Sequence, residues 1–238
     1  DREFMYIGTV VGYMYNTSVH NPYEFTNITV SSTIQGEDNI RYIGGLFGIA
    51  PYATYQNLGA SVTIKGSKDY VGGIAGSSID IISVYDSYAH VQIDEFGSST
   101  PFSTYVGGLF GNITGDNPNT NADIQRVFTS GFINGAQSYV GGIAGYSTTA
   151  DYQDVYSTVN INVDEGVRDE YSGGLFGSLE STSSLSTSVT NAYYSGRLKN
   201  QEENNRYDDF IWYGRGSYLG DRSGIFYNNE LADLGGDY

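Results

Sequence analysis

Tyr70-Val71-Gly72-Gly73-Ile74-Ala75-Gly76 and Tyr105-Val106-Gly107-Gly108-Leu109-Phe110-Gly111 are two copies of one phrase. The same phrase begins at Tyr6, Tyr42, Tyr139 and Tyr171, as YIGTVVG, YIGGLFG, YVGGIAG and YSGGLFG. The start-to-start intervals, read from those residue numbers, are 36, 28, 35, 34 and 32 residues. Recurrence at such a period marks a solenoid, a propeller or another repeat array. Function in such a chain is expected on a surface before it is expected in a pocket.

The composition of the repeat selects β structure. A helical repeat tolerates few glycines, since each interior one costs roughly 1 kcal/mol relative to alanine, and this chain has 32. Between the phrases lie Val62-Thr63-Ile64, Val91-Gln92-Ile93 and Val159-Asn160-Ile161-Asn162-Val163, which alternate apolar and polar residues with the period of a half-buried strand. Each unit reads as a glycine-rich strand, a turn, one or two alternating strands and a corner such as Asn134-Gly135.

The fifth phrase position is always a branched aliphatic residue: Val10, Leu46, Ile74, Leu109, Ile143 and Leu175. At the sixth, Val11, Phe47, Ala75, Phe110, Ala144 and Phe176 alternate large with small from Phe47 onward. Copies stacked in register would let each Phe fill the space beside an Ala, as close packing demands. The expected fold is all-β: a right-handed parallel β-helix, or β-solenoid, of about six coils. Residues 1–200 form the repeats; residues 201–238 form a degenerate last coil or a C-terminal capping or docking segment.

The YxGG[LI][FA]G phrase is followed by stretches such as Val127-Phe128-Thr129-Ser130-Gly131-Phe132-Ile133-Asn134-Gly135 and Asn191-Ala192-Tyr193-Tyr194-Ser195-Gly196-Arg197-Leu198. Phrase and follow-on strand together resemble the GLUG-type repeat of large surface proteins and adhesins, over about residues 1 to 200. That resemblance implies a scaffold on the cell surface and no particular activity. The first copy departs from it, with Thr9 in place of the second glycine.

The chain has no cysteine, 27 acidic against 11 basic residues and a formal net charge of −16. It has no apolar run near the roughly 18 residues of a membrane span. Nucleic acid is a poor partner for a surface of this sign. Asn16, Asn27 and Asn112 head Asn-x-Ser/Thr sequons and are candidate glycan acceptors. The chain opens Asp1-Arg2-Glu3-Phe4, without an initiator methionine or signal peptide, and reads as part of a longer precursor.

Catalytic signatures are sparse. His20 and His90 lie outside any HExxH arrangement, and no GxSxG elbow exists. Asp164/Glu165, Asp169/Glu170 and Asp208/Asp209 sit in polar connections and read as solvated loops. Asp116, Asn117, Asn119, Asn121 and Asp123 space oxygen-bearing side chains as in half of a calcium loop, without an EF-hand's terminal Glu. They are the only candidate cofactor site, for calcium, beside the reading as a hydrophilic turn.

Six tyrosines head the phrases, so stacked coils would align them, with Tyr70, Tyr105 and Tyr139 the best-formed part of an aromatic strip. The strip either seals the sheet or receives sugar rings or another protein. Trp212, Tyr213 and Phe226, in a segment of mixed charge, are candidate assembly residues at an end that must be covered or joined. The sequence thus favours a non-enzymatic extracellular or cell-surface solenoid, an adhesive stalk or a filament subunit stacked head to tail. Its partners would be itself, or the repeats upstream and downstream in the same precursor, with surface glycans as a further binding target. The alternative is a carbohydrate-binding or carbohydrate-active β-helix using the tyrosine strip.

Overall fold

A computed structural model describes residues 5–14, 22–36, 40–66, 69–79, 81–94, 104–114, 121–136, 138–163, 172–182, 185–199, 211–215 and 222–227. Those residues contain strands, turns and bends and no helix. Every strand pairing is parallel, and the strands fall into three sheets that together form a β-solenoid.

Each phrase was expected to be one glycine-rich strand, with the glycines at its third and seventh positions at corners or thin walls of the coil. Backbone does approach those glycines closely, but the phrase is two short strands with the corner between them at the fourth position. Its first three residues, or the second and third in the last two copies, enter the first sheet, through Met5–Gly8, Ile40–Gly44, Tyr70–Gly72, Tyr105–Gly107, Val140–Gly141 and Ser172–Gly173. Its last two open the strands of the second sheet: Val11–Tyr13, Phe47–Ala50, Ala75–Ile79, Phe110–Thr114, Ala144–Thr148 and Phe176–Glu180. Ile211–Arg215 then follows Phe176–Glu180 in that sheet. The fourth-position glycine makes the corner. A Cβ on Gly45, Gly73, Gly108 or Gly142 would lie 2.0 to 2.3 Å from the carbonyl oxygen of the equivalent glycine in the next coil. Coil-to-coil hydrogen bonds run through the corner and hold this backbone in place, such as Gly73 N to Gly108 O at 3.1 Å and Ile74 N to Leu109 O at 2.9 Å.

The third sheet holds the longest strands: Tyr23–Gln35, Ala53–Lys65, Ser83–Asp94 and Ala122–Ala136, then the shorter Ala150–Ser157, Ser188–Tyr194 and Arg222–Tyr227. As the sequence suggested, a unit contributes one or two strands here: Asn160–Val163 follows Ala150–Ser157, and Leu198–Lys199 follows Ser188–Tyr194. Within the first strand of each unit up to Ser188–Tyr194 the chain bends. The bend falls at Asn27, Asn57, Asp86, Arg126, Asp154 and Asn191, all with φ between 51° and 58°. Asn and Asp tolerate this left-handed region because their short polar side chains bond locally, whereas Arg126 bears more of its steric cost.

The interior confirms the stacked register. Phe47, Ala75, Phe110, Ala144 and Phe176 are consecutive partners across the second sheet, each at most 1% exposed. The third sheet packs on this column through rings: buried Tyr55 meets Phe47 at 5.4 Å, and buried Tyr152 meets Phe176, with ring centroids 4.6 Å apart. The Tyr152 hydroxyl donates to Ser147 Oγ at 2.7 Å, and that of Tyr55 to the Pro51 carbonyl at 2.6 Å, so neither polar tip is stranded. Burial raises the pKa of both phenols.

Candidate functional site: aromatic and polar columns on the solenoid surface

Because coils repeat at the strand spacing of about 4.8 Å, any outward position that recurs becomes a column. The phrase tyrosines form one on the first sheet. Centroid separations are 5.0 Å for Tyr6–Tyr42, 4.6 Å for Tyr42–Tyr70, 5.0 Å for Tyr70–Tyr105 and 4.8 Å for Tyr105–Tyr139, with planes within 20° of parallel. The rings are half-buried, and their faces are turned to one another. Arg41 lies beside this column with its Nε donating to the Asp69 carboxylate, which is almost fully buried. Burial pushes the Tyr42 and Tyr70 phenols up, Asp69 adds to the rise, and Arg41 opposes it. Tyr146, edge-on to Tyr105 and Tyr139, donates to Glu180 Oε2 at 3.0 Å; burial and that carboxylate raise its pKa.

The left-handed residues of the third sheet make a second column, paired by hydrogen bonds from coil to coil. Asn57 Nδ2 donates to Asn27 Oδ1 at 2.7 Å, and Asn191 Nδ2 to Asp154 Oδ1 at 3.0 Å. Arg126 makes a bidentate pair with Asp86, Nε to Oδ1 at 2.5 Å and Nη2 to Oδ2 at 3.2 Å, and stands over the Tyr85 ring. Its guanidinium holds the exposed Asp86 carboxyl below the usual range.

Outward residues beyond this bend form a third column that sequence reasoning missed: Thr29, Gly59, Tyr88, Phe128, Tyr156 and Tyr193, matched by register. Phe128, Tyr156 and Tyr193 stack at 5.1 and 5.2 Å. The signal was present, as an aromatic residue two positions after each Asp, Arg or Asn of the bend from Asp86 onward.

Of the sequon asparagines, Asn16 lies outside the described residues. Asn27 is exposed on Tyr23–Gln35. Asn112 is half-buried, with Nδ2 donating to Ser77 Oγ at 3.2 Å and Oδ1 buried without a partner. Of the calcium candidates, Asp116, Asn117 and Asn119 also lie outside the described residues. Asn121 donates to Asp151 Oδ2 at 2.9 Å and to the Ser186 carbonyl, and Asp123 accepts from Tyr85 Oη at 2.7 Å and from Gln125. Among the described residues no group of three or more His, Asp or Glu comes together to hold a metal ion. The carboxylate pairs at 164/165, 169/170 and 208/209 lie outside the described residues. Trp212 and Tyr213 lie on the strand paired with Phe176–Glu180, and Phe226 pairs in register with Tyr193.

Among the described residues Met5–Gly8, Val11–Tyr13 and Tyr23–Gln35 are the N-terminal edge strands of their three sheets, and Met5, Val10, Tyr13 and Tyr23 are 40% to 48% exposed. Ile7, Val11, Phe25, Ile28 and Val30 are only partly buried against the core. No helix among the described residues is long and apolar enough to cross a membrane. Comparisons with protein-family models, with curated proteins and with solved structures find no match.

Proposed function

We propose that this protein is a non-enzymatic, extracellular structural solenoid of the GLUG type. In this reading it is right-handed, has about six coils and a C-terminal docking segment, and lengthens head to tail as a surface stalk or filament. The N-terminal end of the described residues carries the proposal. Among those residues its three edge strands have a strand neighbour on one side only and stand beside apolar side chains, a combination that solvent-facing sheet edges ordinarily avoid. A terminal repeat that ended the stack for good would present a polar outer face.

The complement to such a face is another coil of the same kind, since each coil already receives its neighbour through the same columns. The strands Ile211–Arg215 and Arg222–Tyr227 lie at the other end of the second and third sheets. Joining unlike ends is heterologous and does not close, so it propagates. The stacked tyrosines fit this role better than sugar binding, because their faces are spent on one another.

Light scattering and electron microscopy of the 238-residue protein test the reading. Concentration-dependent fibres are expected, lost when Val10 and Tyr23 are both replaced by lysine. A stable monomer at high concentration, with no fibres, would overturn self-assembly and leave the stalk.

A further inference from the structure

The outer face of the third sheet changes along its length. From Tyr88 onward the column after the bend carries large rings; toward the N-terminus it shrinks to Gly59 and Thr29. The next two outward columns there are Ser31, Ser61, His90 and Thr33, Thr63, Gln92. These small residues leave a shallow trough of about 430 Å³ across three strands, within the range of about 300–1,000 Å³ typical of small-molecule sites. At its side Tyr88, 42% exposed, leans over Gly59, where an added Cβ would lie 2.7 Å from the ring. Tyr88 is thereby an exposed ring, unlike the stacked tyrosines of the first sheet.

We propose that this trough binds a neutral saccharide, independently of any head-to-tail assembly. Among the described residues, the hydroxyls of Ser31, Thr33, Ser61 and Thr63 make no hydrogen bond to protein, so each can donate and accept. His90 has Nδ1 engaged with Ser130 Oγ at 3.0 Å, and Gln92 Nε2 donates to Asp94 at 3.0 Å, which fixes both side chains at the trough. Among the described residues no lysine, arginine or carboxylate lines it. On a chain of net charge −16, a neutral lining of hydroxyl, amide and imidazole groups beside one aromatic ring suits an uncharged polyol and disfavours an anionic one. Sugar hydroxyls would pair with the floor, and the apolar face of a pyranose would lie on Tyr88.

The test is a titration of the 238-residue protein with cellohexaose, chitohexaose and mannohexaose, followed by amide NMR shifts and calorimetry, with an oligogalacturonate as the anionic control. At least one neutral hexasaccharide should bind, with shifts centred on residues 59–63 and 88–92. Tyr88→Ala, and separately Ser61→Ala with Thr63→Val, should each weaken it roughly tenfold, about 1.4 kcal/mol; both alter exposed or half-exposed side chains, and unchanged melting verifies their folding. Shifts centred instead on Tyr70, Tyr105 and Tyr139, tighter binding of the oligogalacturonate, undiminished binding by both variants, or no shift with any neutral hexasaccharide would each overturn the proposal.

Discussion

The phrase at Tyr42 and the phrase at Tyr6 share a pattern and differ in fate. Ile43, Leu46 and Phe47 are fully buried, while Ile7 and Val11 are half-open and Val10 is 42% exposed. The difference lies in the neighbours. Among the described residues a coil in the stack is covered from both sides and the first from one, so burial there is a property of adjacency, as expected for a quasi-one-dimensional repeat.

The largest expected effect tests that contrast directly. Phe110→Ala, with Ala75 and Ala144 as its register partners, removes a ring no small neighbour can replace and should cost about 3–5 kcal/mol in urea unfolding. Val11→Ala, on the open coil, should cost about 1 kcal/mol, in keeping with half the burial of a valine. Equal losses at the two sites would mean that the N-terminal face is covered in solution.

Gly108→Ala comes next. The added Cβ would sit 2.0 Å from the Gly142 carbonyl oxygen, so the corner must shift at a cost of about 1–3 kcal/mol. The first coil already has Thr9 at the equivalent position, exposed, its hydroxyl 2.8 Å from Ser32 Oγ. A coil pinned from one side can move to accept a side chain. Thr9→Gly should therefore change the melting temperature little, and a loss matching that of Gly108→Ala would contradict the pinning argument.

The repeat, the all-β class and the Phe/Ala register were legible because stacking writes the same constraint at one position of every copy. The place of the corner inside the phrase, at the fourth position and not at the third or seventh, was not. Tyr-x-Gly and Phe-Gly each satisfy a strand pattern, and only the carbonyl approaching each fourth-position glycine reveals the turn. The bend in the long strands was hidden for a related reason: Asn57, Asp86 and Asp154 occupy places where a polar residue also satisfies outward alternation. The trough depends on which coils carry small side chains beside Tyr88, and that emerges only once the register is known.

The tyrosine column offers a smaller, pH-dependent contrast. Burial raises the pKa of Tyr42 and Tyr70, so the folded state holds their protons more tightly than the unfolded chain does. Their contribution to stability is complete below the unfolded value of about 10 and declines as pH rises through it toward the folded values. Melting temperatures recorded from pH 8 to pH 11 should fall, and Tyr70→Phe should flatten the fall. An identical slope in the variant would assign the alkaline loss to other groups.

The smallest effect has the most diagnostic sign. Arg126 occupies the bend with φ 51°, between Asp86 and Asp154 in register, and its side chain is exposed in a bidentate pair with Asp86. Within an ordinary strand, replacement by glycine destabilises more than replacement by alanine, because glycine loses more backbone freedom on folding. At a left-handed position the order reverses: alanine keeps the clash of its Cβ, and glycine removes it. Both variants lose the pair with Asp86, so that loss cancels in the comparison. Arg126→Gly should therefore melt above Arg126→Ala, by a margin that persists in high salt, where the screened ion pair contributes little to the parent. The usual order, alanine above glycine, would mean that the strand runs straight through Arg126 and that the column of left-handed residues is interrupted there.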